Sequence, residues 1–211
     1  MTLSPPPGRT PLPPLPVLLY GRSRGLPATV VVLVVTALAT AWFAPRIVRA
    51  DGFADPANRL PLVLVAPLVA AVAIGTGLHT PSDELDRAAS RAWWRPRLLH
   101  LLGLTGLAAG AFALAVTGSP EVYGSPAAIR NLLGCTGITL LTAVVAGAGV
   151  GWLPTVSYGA LAYLLFQDPA SGPAGWAVRP GPEAGPWTVA VVLYAAGAAA
   201  WLWRGARRGG G

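Results

Sequence analysis

Asn131 to Gln167 reads "NLLGCTGITLLTAVVAGAGVGWLPTVSYGALAYLLFQ", without one Asp, Glu, Lys or Arg. As a single helix rising about 1.5 Å per residue it would be about 55 Å long, against a hydrocarbon core of about 30 Å. The run is therefore read as two short spans, folded back at "GAGVGWLP", whose glycines and Pro154 supply a tight turn. A segment that must cross an apolar slab twice sets the fold class: an all-α, polytopic membrane helical bundle.

The rest of the chain agrees. Of its 211 residues 54% are hydrophobic and 11% charged, with mean hydropathy +0.57, whereas a soluble domain carries about 25% charged residues. Apolar blocks from Gly25 to Pro45, Leu60 to Leu78, Leu98 to Val116 and about Pro186 to Trp203 bring the expected spans to six. Residues 1–24 form a Pro-rich tail with a short interfacial segment, and residues 25–211 the six-span domain. The first block is longer than the apolar region of a signal peptide and is read as a retained anchor.

Arginine placement orients the bundle. With both termini cytoplasmic, the inner segments hold Arg9, Arg22, Arg24, Arg87, Arg91, Arg95, Arg97, Arg204, Arg207 and Arg208. The outer ones hold only Arg46, Arg49, Arg59, Arg130 and Arg179. This is the asymmetry that the positive-inside rule requires of a protein in the plasma (inner) membrane. Trp42, Trp152, Trp187, Trp201 and Trp203 fall near span ends, as an aromatic belt would. Gly106 with Gly110, and Gly147 with Gly151, have the spacing that lets helices approach closely in lipid.

Several kinds of chemistry are excluded by missing parts. The chain has no lysine, so it offers neither a Walker-type phosphate loop nor a Schiff base. Cys135 stands alone inside an apolar block and reads as a small packing residue. His79 and His100 flank a charged loop with no cysteine nearby, which disfavours a metal site. "DELDR" resembles the Glu-rich motif of membrane CAAX-type proteases, but no histidine follows His100 to complete such a site. Ser157 has no partner histidine, and no span contains an acid that could relay protons. The expectation is a protein that is no enzyme, needs no cofactor, and binds lipid rather than nucleic acid, its net charge of +7 lying at span ends.

The charged loop is "TPSDELDRAASRAWWRPRLLH", Thr80 to His100. Thr80, Pro81 and Asp83 have the order of a helix start. Leu85, Ala88, Ala89, Ala92 and Trp93 then form one apolar stripe. Asp83 and Glu84 can pair with Arg87 along the helix. The spacing predicts an amphipathic cytoplasmic helix over Thr80–Arg97, between spans two and three and stopped by Pro96. Two readings stand: a solvated connector, or a surface that docks a cytoplasmic partner.

This layout resembles the membrane subunits of ABC-2-type exporters, which have six spans and a coupling helix between spans two and three. The resemblance rests on "ELDRAASR", with Glu84, Arg87 and Arg91, and on the irregular segment "QDPASGPAGWAVRPGPEAGP" between spans five and six. Within that family the chain is similar to small membrane proteins of high-GC actinobacteria, which share a stretch like "RNLLGCTGITLL" at Arg130 to Leu141. It implies a permease subunit, in a homo- or heterodimer, driven by a separate ATP-binding subunit that docks on Asp83, Glu84, Arg87 and Arg91. The alternative is a non-transporting structural or regulatory membrane subunit.

Arg130 is expected just before span four. There it could snorkel to the outer interface, pair with an external acid such as Glu121, or meet cargo. The topology itself is testable by reporter fusions at Gly211 and within residues 172–185. Gly211 should report as cytoplasmic and the second site as external; an external Gly211 would remove the six-span reading.

Overall fold

The computed structural model describes residues 26–47, 56–78, 94–117, 122–166 and 169–205. Among these residues are six α-helices and no strand: α1 (Leu26–Ile47), α2 (Leu60–Gly77), α3 (Trp94–Ala115), α4 (Ser125–Val145), α5 (Leu153–Leu165) and α6 (Ala184–Arg204). Short 3-10 turns cover Pro56–Arg59 and Ala148–Val150, and a longer irregular 3-10 segment covers Pro169–Val178. All the α-helices except α5 are long and apolar enough to cross a membrane, five in total. The chain is a helical membrane protein. α5, with 13 residues, is about 20 Å long, short of a bilayer core of about 30 Å.

The helices alternate in direction. At one end of the bundle Gly77 of α2 lies against Thr29 of α1, and the Arg97 guanidinium sits 5.7 Å from the Trp201 ring centroid of α6. At the opposite end Arg59 Nη1 donates to the Thr117 carbonyl at 3.3 Å, and the Gly181 N–H donates to the Val122 carbonyl at 2.7 Å.

Two expectations need correction here. Span four was placed from Asn131, yet α4 begins at Ser125, with Pro126 in its first turn. It is a full-length helix that carries Arg130 and Asn131 inside it; only α5 is short. Pro96 does not end a helix: α3 starts at Trp94 and runs through it. In a first turn the N–H that proline lacks has no intrahelical acceptor anyway, so nothing is lost. Asp83, Glu84, Arg87 and Arg91, with residues 80–93 of the amphipathic helix expected over Thr80–Arg97, lie outside the described residues, as do residues 1–24; Trp94 to Arg97 belong to α3.

α4 is the central helix. Its span is 67% buried, against 17% for α1. The reason is local: a Cβ added at Gly137 would strike the backbone of Leu193 and Tyr194 in α6, and one at Gly197 the backbone of Gly137. The two helices touch backbone to backbone. In lipid, where apolar side chains gain nothing by leaving water, such close contact supplies the dispersion energy for association. By contrast Gly103, Gly106 and Gly110 on α3 have nothing within 4 Å of an added Cβ. The Gly106–Gly110 spacing therefore packs on nothing among the described residues. Gly147 has φ 105°, a conformation that favours glycine, and makes the turn out of α4.

Thr40, Thr139 and Thr142 inside the bundle each donate to the carbonyl four residues earlier on their own helix. Thr139 Oγ1 donates to the Cys135 carbonyl at 2.9 Å and lies 2.8 Å from Thr155 Oγ1, tying α5 to α4. Cys135 is fully buried, as its packing role requires. Trp201, expected in the aromatic belt, is instead a core residue at 1% exposure, while Trp203 is 91% exposed.

Gly137→Val should lower stability in mild detergent by about 1–3 kcal/mol or more through overpacking. Gly106→Val, on an open face, should leave the melting curve within a degree or so of wild type. Equal melting of both variants would show that α4 and α6 are not in backbone contact.

Candidate functional site

The second half of the 3-10 segment Pro169–Val178 is not a surface loop. Trp176, Ala177 and Val178 are all buried, although the chain around Gly172 and Gly175 is not helical. Irregular backbone within a membrane bundle needs protein partners for its polar groups, because lipid offers none. Two adjacent residues of α4 hold three carbonyls there, those of Ala177, Arg179 and Pro180.

Arg130 is 0% exposed. Its Nη1 donates to the Pro180 carbonyl at 2.7 Å, and its Nη2 to the carbonyls of Arg179 at 2.8 Å and Ala177 at 3.3 Å. Nε donates to Asn131 Oδ1 at 3.2 Å. The rigid five-donor fork of arginine suits a cluster of carbonyls that no lysine could span. Glu183, at the start of α6, lies within electrostatic range of this buried charge.

Asn131, also fully buried, completes the centre. Its Nδ2 donates to the Ala177 carbonyl at 2.8 Å and to the Val63 carbonyl at 3.1 Å. The second bond has a covalent cause. In a helix the Val63 carbonyl would accept the N–H of residue 67, and residue 67 is proline. Asn131 replaces the missing donor. The amide orientation follows from the network, since the reverse would set carbonyl against carbonyl and amide against Arg130 Nε.

Aromatic groups close the site. Trp176 stacks on Tyr158 with ring centroids 5.5 Å apart and planes at 9°, and its ring occupies the space that a Cβ on Gly134 would fill. Tyr158 OH donates to the Ala174 carbonyl at 2.9 Å, and Trp187 Nε1 to the Gly181 carbonyl at 2.8 Å. Tyr123 OH donates to the Val178 carbonyl at 3.0 Å. Burial pushes the Tyr123 phenol above its ordinary value, so it stays a neutral donor at physiological pH. The carbonyls of Ala174, Ala177, Val178, Arg179, Pro180 and Gly181 are thus all held by side chains.

Beside this centre an open groove of about 420 Å³ lies between the segment and α6, lined by Pro173, Trp176, Arg179, Glu183, Pro186 and Val189. Among the described residues no group of three His, Cys, Asp or Glu side chains is placed to hold a metal ion.

Of the expectations for Arg130, the interfacial snorkel is overturned: the side chain turns inward onto carbonyls. Its contacts join Asn131 and the fifth connection, a combination that charge-based span boundaries separate. The available signal was Pro67, which frees a carbonyl in α2, together with Asn131, a polar amide in an apolar run. Set against family models, curated proteins and solved structures, the chain matches none of them.

Arg130→Lys keeps the charge but loses the fork, and should cost about 1.5–3 kcal/mol, the worth of a hydrogen bond to a charged group. Asn131→Leu removes the donor to the Val63 carbonyl and one of two donors to the Ala177 carbonyl, and should cost about 1–3 kcal/mol. Melting of the purified protein measures both; wild-type melting of Arg130→Lys would mean that the arginine sits at the interface.

Proposed function

We propose that the chain is the transmembrane permease subunit of an ABC-type exporter, driven by a separate ATP-binding subunit. The observation that carries this reading is the packed irregular segment Pro169–Val178, fixed to α4 between the fifth and sixth helices. That is the place where the resembled exporters carry their irregular external element. The alternating helices give further support, because α5 completes a sixth crossing if the bilayer thins around it. Both termini and residues 79–93 then fall on the cytoplasmic side of the plasma membrane. Without lysine the chain cannot form a Walker loop, so hydrolysis belongs to another subunit. Asp83, Glu84, Arg87 and Arg91 are the residues this reading assigns to docking it.

A second reading, a non-transporting membrane subunit, is favoured by one observation. Among the described residues the largest fully buried polar side chains, Arg130 and Asn131, are engaged by carbonyls, and the groove between α1 and α3 is lined wholly by Leu, Val and Ala. A translocation path would then have to lie between two copies.

One experiment separates the readings. Wild-type protein purified from native membranes should bring down an ATPase with a GxxxxGK[ST] loop. Glu84→Arg and Arg87→Glu should each reduce its recovery at least about tenfold, since reversed charge at a docking surface costs several kcal/mol. Their melting should barely change, an exposed intrahelical pair being worth about 0.3–0.5 kcal/mol. Leu85→Asp, at the head of the apolar stripe, should impair membrane seating. No ATPase with the wild type, or undiminished recovery with both reversals, leaves the non-transporting reading.

A further inference from the structure

The groove between the Pro169–Val178 segment and α6 is lined by apolar and charged groups together. Its walls are Pro173, Trp176, Pro186 and Val189, and Arg179 and Glu183 also line it. Its volume of about 420 Å³ lies within the range of about 300–1,000 Å³ typical of small-molecule sites. An apolar trough that also presents one cation and one anion is the inverse of an amphiphile with a dipolar head.

The charges narrow the class. Arg179 and Glu183 line the groove, and both, with the buried Arg130, lie within electrostatic range of Tyr123. A purely anionic head would be attracted by the two arginines but repelled by Glu183 at the groove itself. A purely cationic head would meet Arg179 and the field of Arg130. A head carrying both signs satisfies Arg179 and Glu183 together. Glu183 accepts hydrogen bonds only, so it discriminates further: a primary ammonium donates to it, and a quaternary one cannot.

We propose that this groove binds a zwitterionic amphiphile with a phosphodiester and a primary ammonium, the chemistry of a phosphatidylethanolamine lipid. The phosphate lies on Arg179, the ammonium on Glu183, and the first methylenes along Pro186 and Val189. Val189 stands five residues into α6, so the trough descends from the end of the bundle toward the acyl region. The inference does not rest on the exporter reading, since it concerns the end of the bundle built around Arg130 and no ATPase.

Full-length protein in nanodiscs containing equal phosphatidylethanolamine, phosphatidylcholine and phosphatidylglycerol tests it. After transfer to mild detergent, lipid that stays bound is quantified by mass spectrometry. The wild type should retain phosphatidylethanolamine in preference to both others. Glu183→Gln should cut the preference over phosphatidylcholine about tenfold, the worth of one charge-assisted hydrogen bond. Val189→Trp, which fills the trough, should lower retention of all three lipids. Glu183 is exposed, so its variant should melt as wild type does, and melting is recorded on the same samples. Equal retention of the three lipids overturns the proposal. So does preferential retention of phosphatidylglycerol, which would mean that the groove reads phosphate alone. Unchanged selectivity in Glu183→Gln overturns it as well.

Discussion

Proline at position 67 removes an amide hydrogen from the middle of α2, and the carbonyl of Val63 is left without its helical partner. In water this would matter little. In the interior of a membrane bundle an unpaired carbonyl costs about 1–3 kcal/mol or more, so something must donate to it. Asn131 does, at 3.1 Å, and the second hydrogen of the same amide reaches Ala177. One side chain thereby joins α2, α4 and the connection between α5 and α6. Arg130, next to it, extends the arrangement to Arg179 and Pro180.

The position of α4 follows from this. A helix that must reach both α2 and the irregular segment has to lie between them, and its small residues allow it. Gly134 admits the ring of Trp176, and Gly137 admits the backbone of α6. Because glycine destabilises a helix by about 1 kcal/mol relative to alanine, the close approach must return more than that in contact. Burial of 67% along α4 is consistent with such a return. α1 is packed on one side only, its 17% burial leaving Val31, Val35 and Leu38 exposed to the apolar surroundings.

The sequence reports most clearly where physics acts on whole segments. Long uncharged blocks announce the five apolar helices, and the glycines with Pro154 announce the turn between α4 and α5. It reports poorly where a charge stands inside a span. Arg130 reads as a boundary residue, since an isolated arginine in lipid is too costly to place within a helix. The compensation comes from carbonyls some fifty residues away, and no local pattern encodes them. Trp201 illustrates the same limit: a tryptophan one turn from a helix end suits a belt and a core equally, and only the packing of α3 against α6 decides. Of the candidate site, Arg130 and the irregular fifth connection stand out in the sequence; Pro67, which frees a carbonyl that Asn131 must answer, carries no local sign of that pairing.

Residues 175–181 form a fixed part of the bundle because Arg130 and Asn131 of α4, together with Tyr123 and Trp187, hold their carbonyls. Hydrogen–deuterium exchange of the intact protein in nanodiscs tests this most directly, read on peptides covering that stretch. Slow exchange, over minutes to hours, is expected at residues 175–178, whose amides are buried by this packing, and at Gly181, whose N–H is held by the Val122 carbonyl, with faster exchange in Asn131→Leu. Exchange of the wild-type stretch within seconds, at the rate of an unprotected loop, would contradict it.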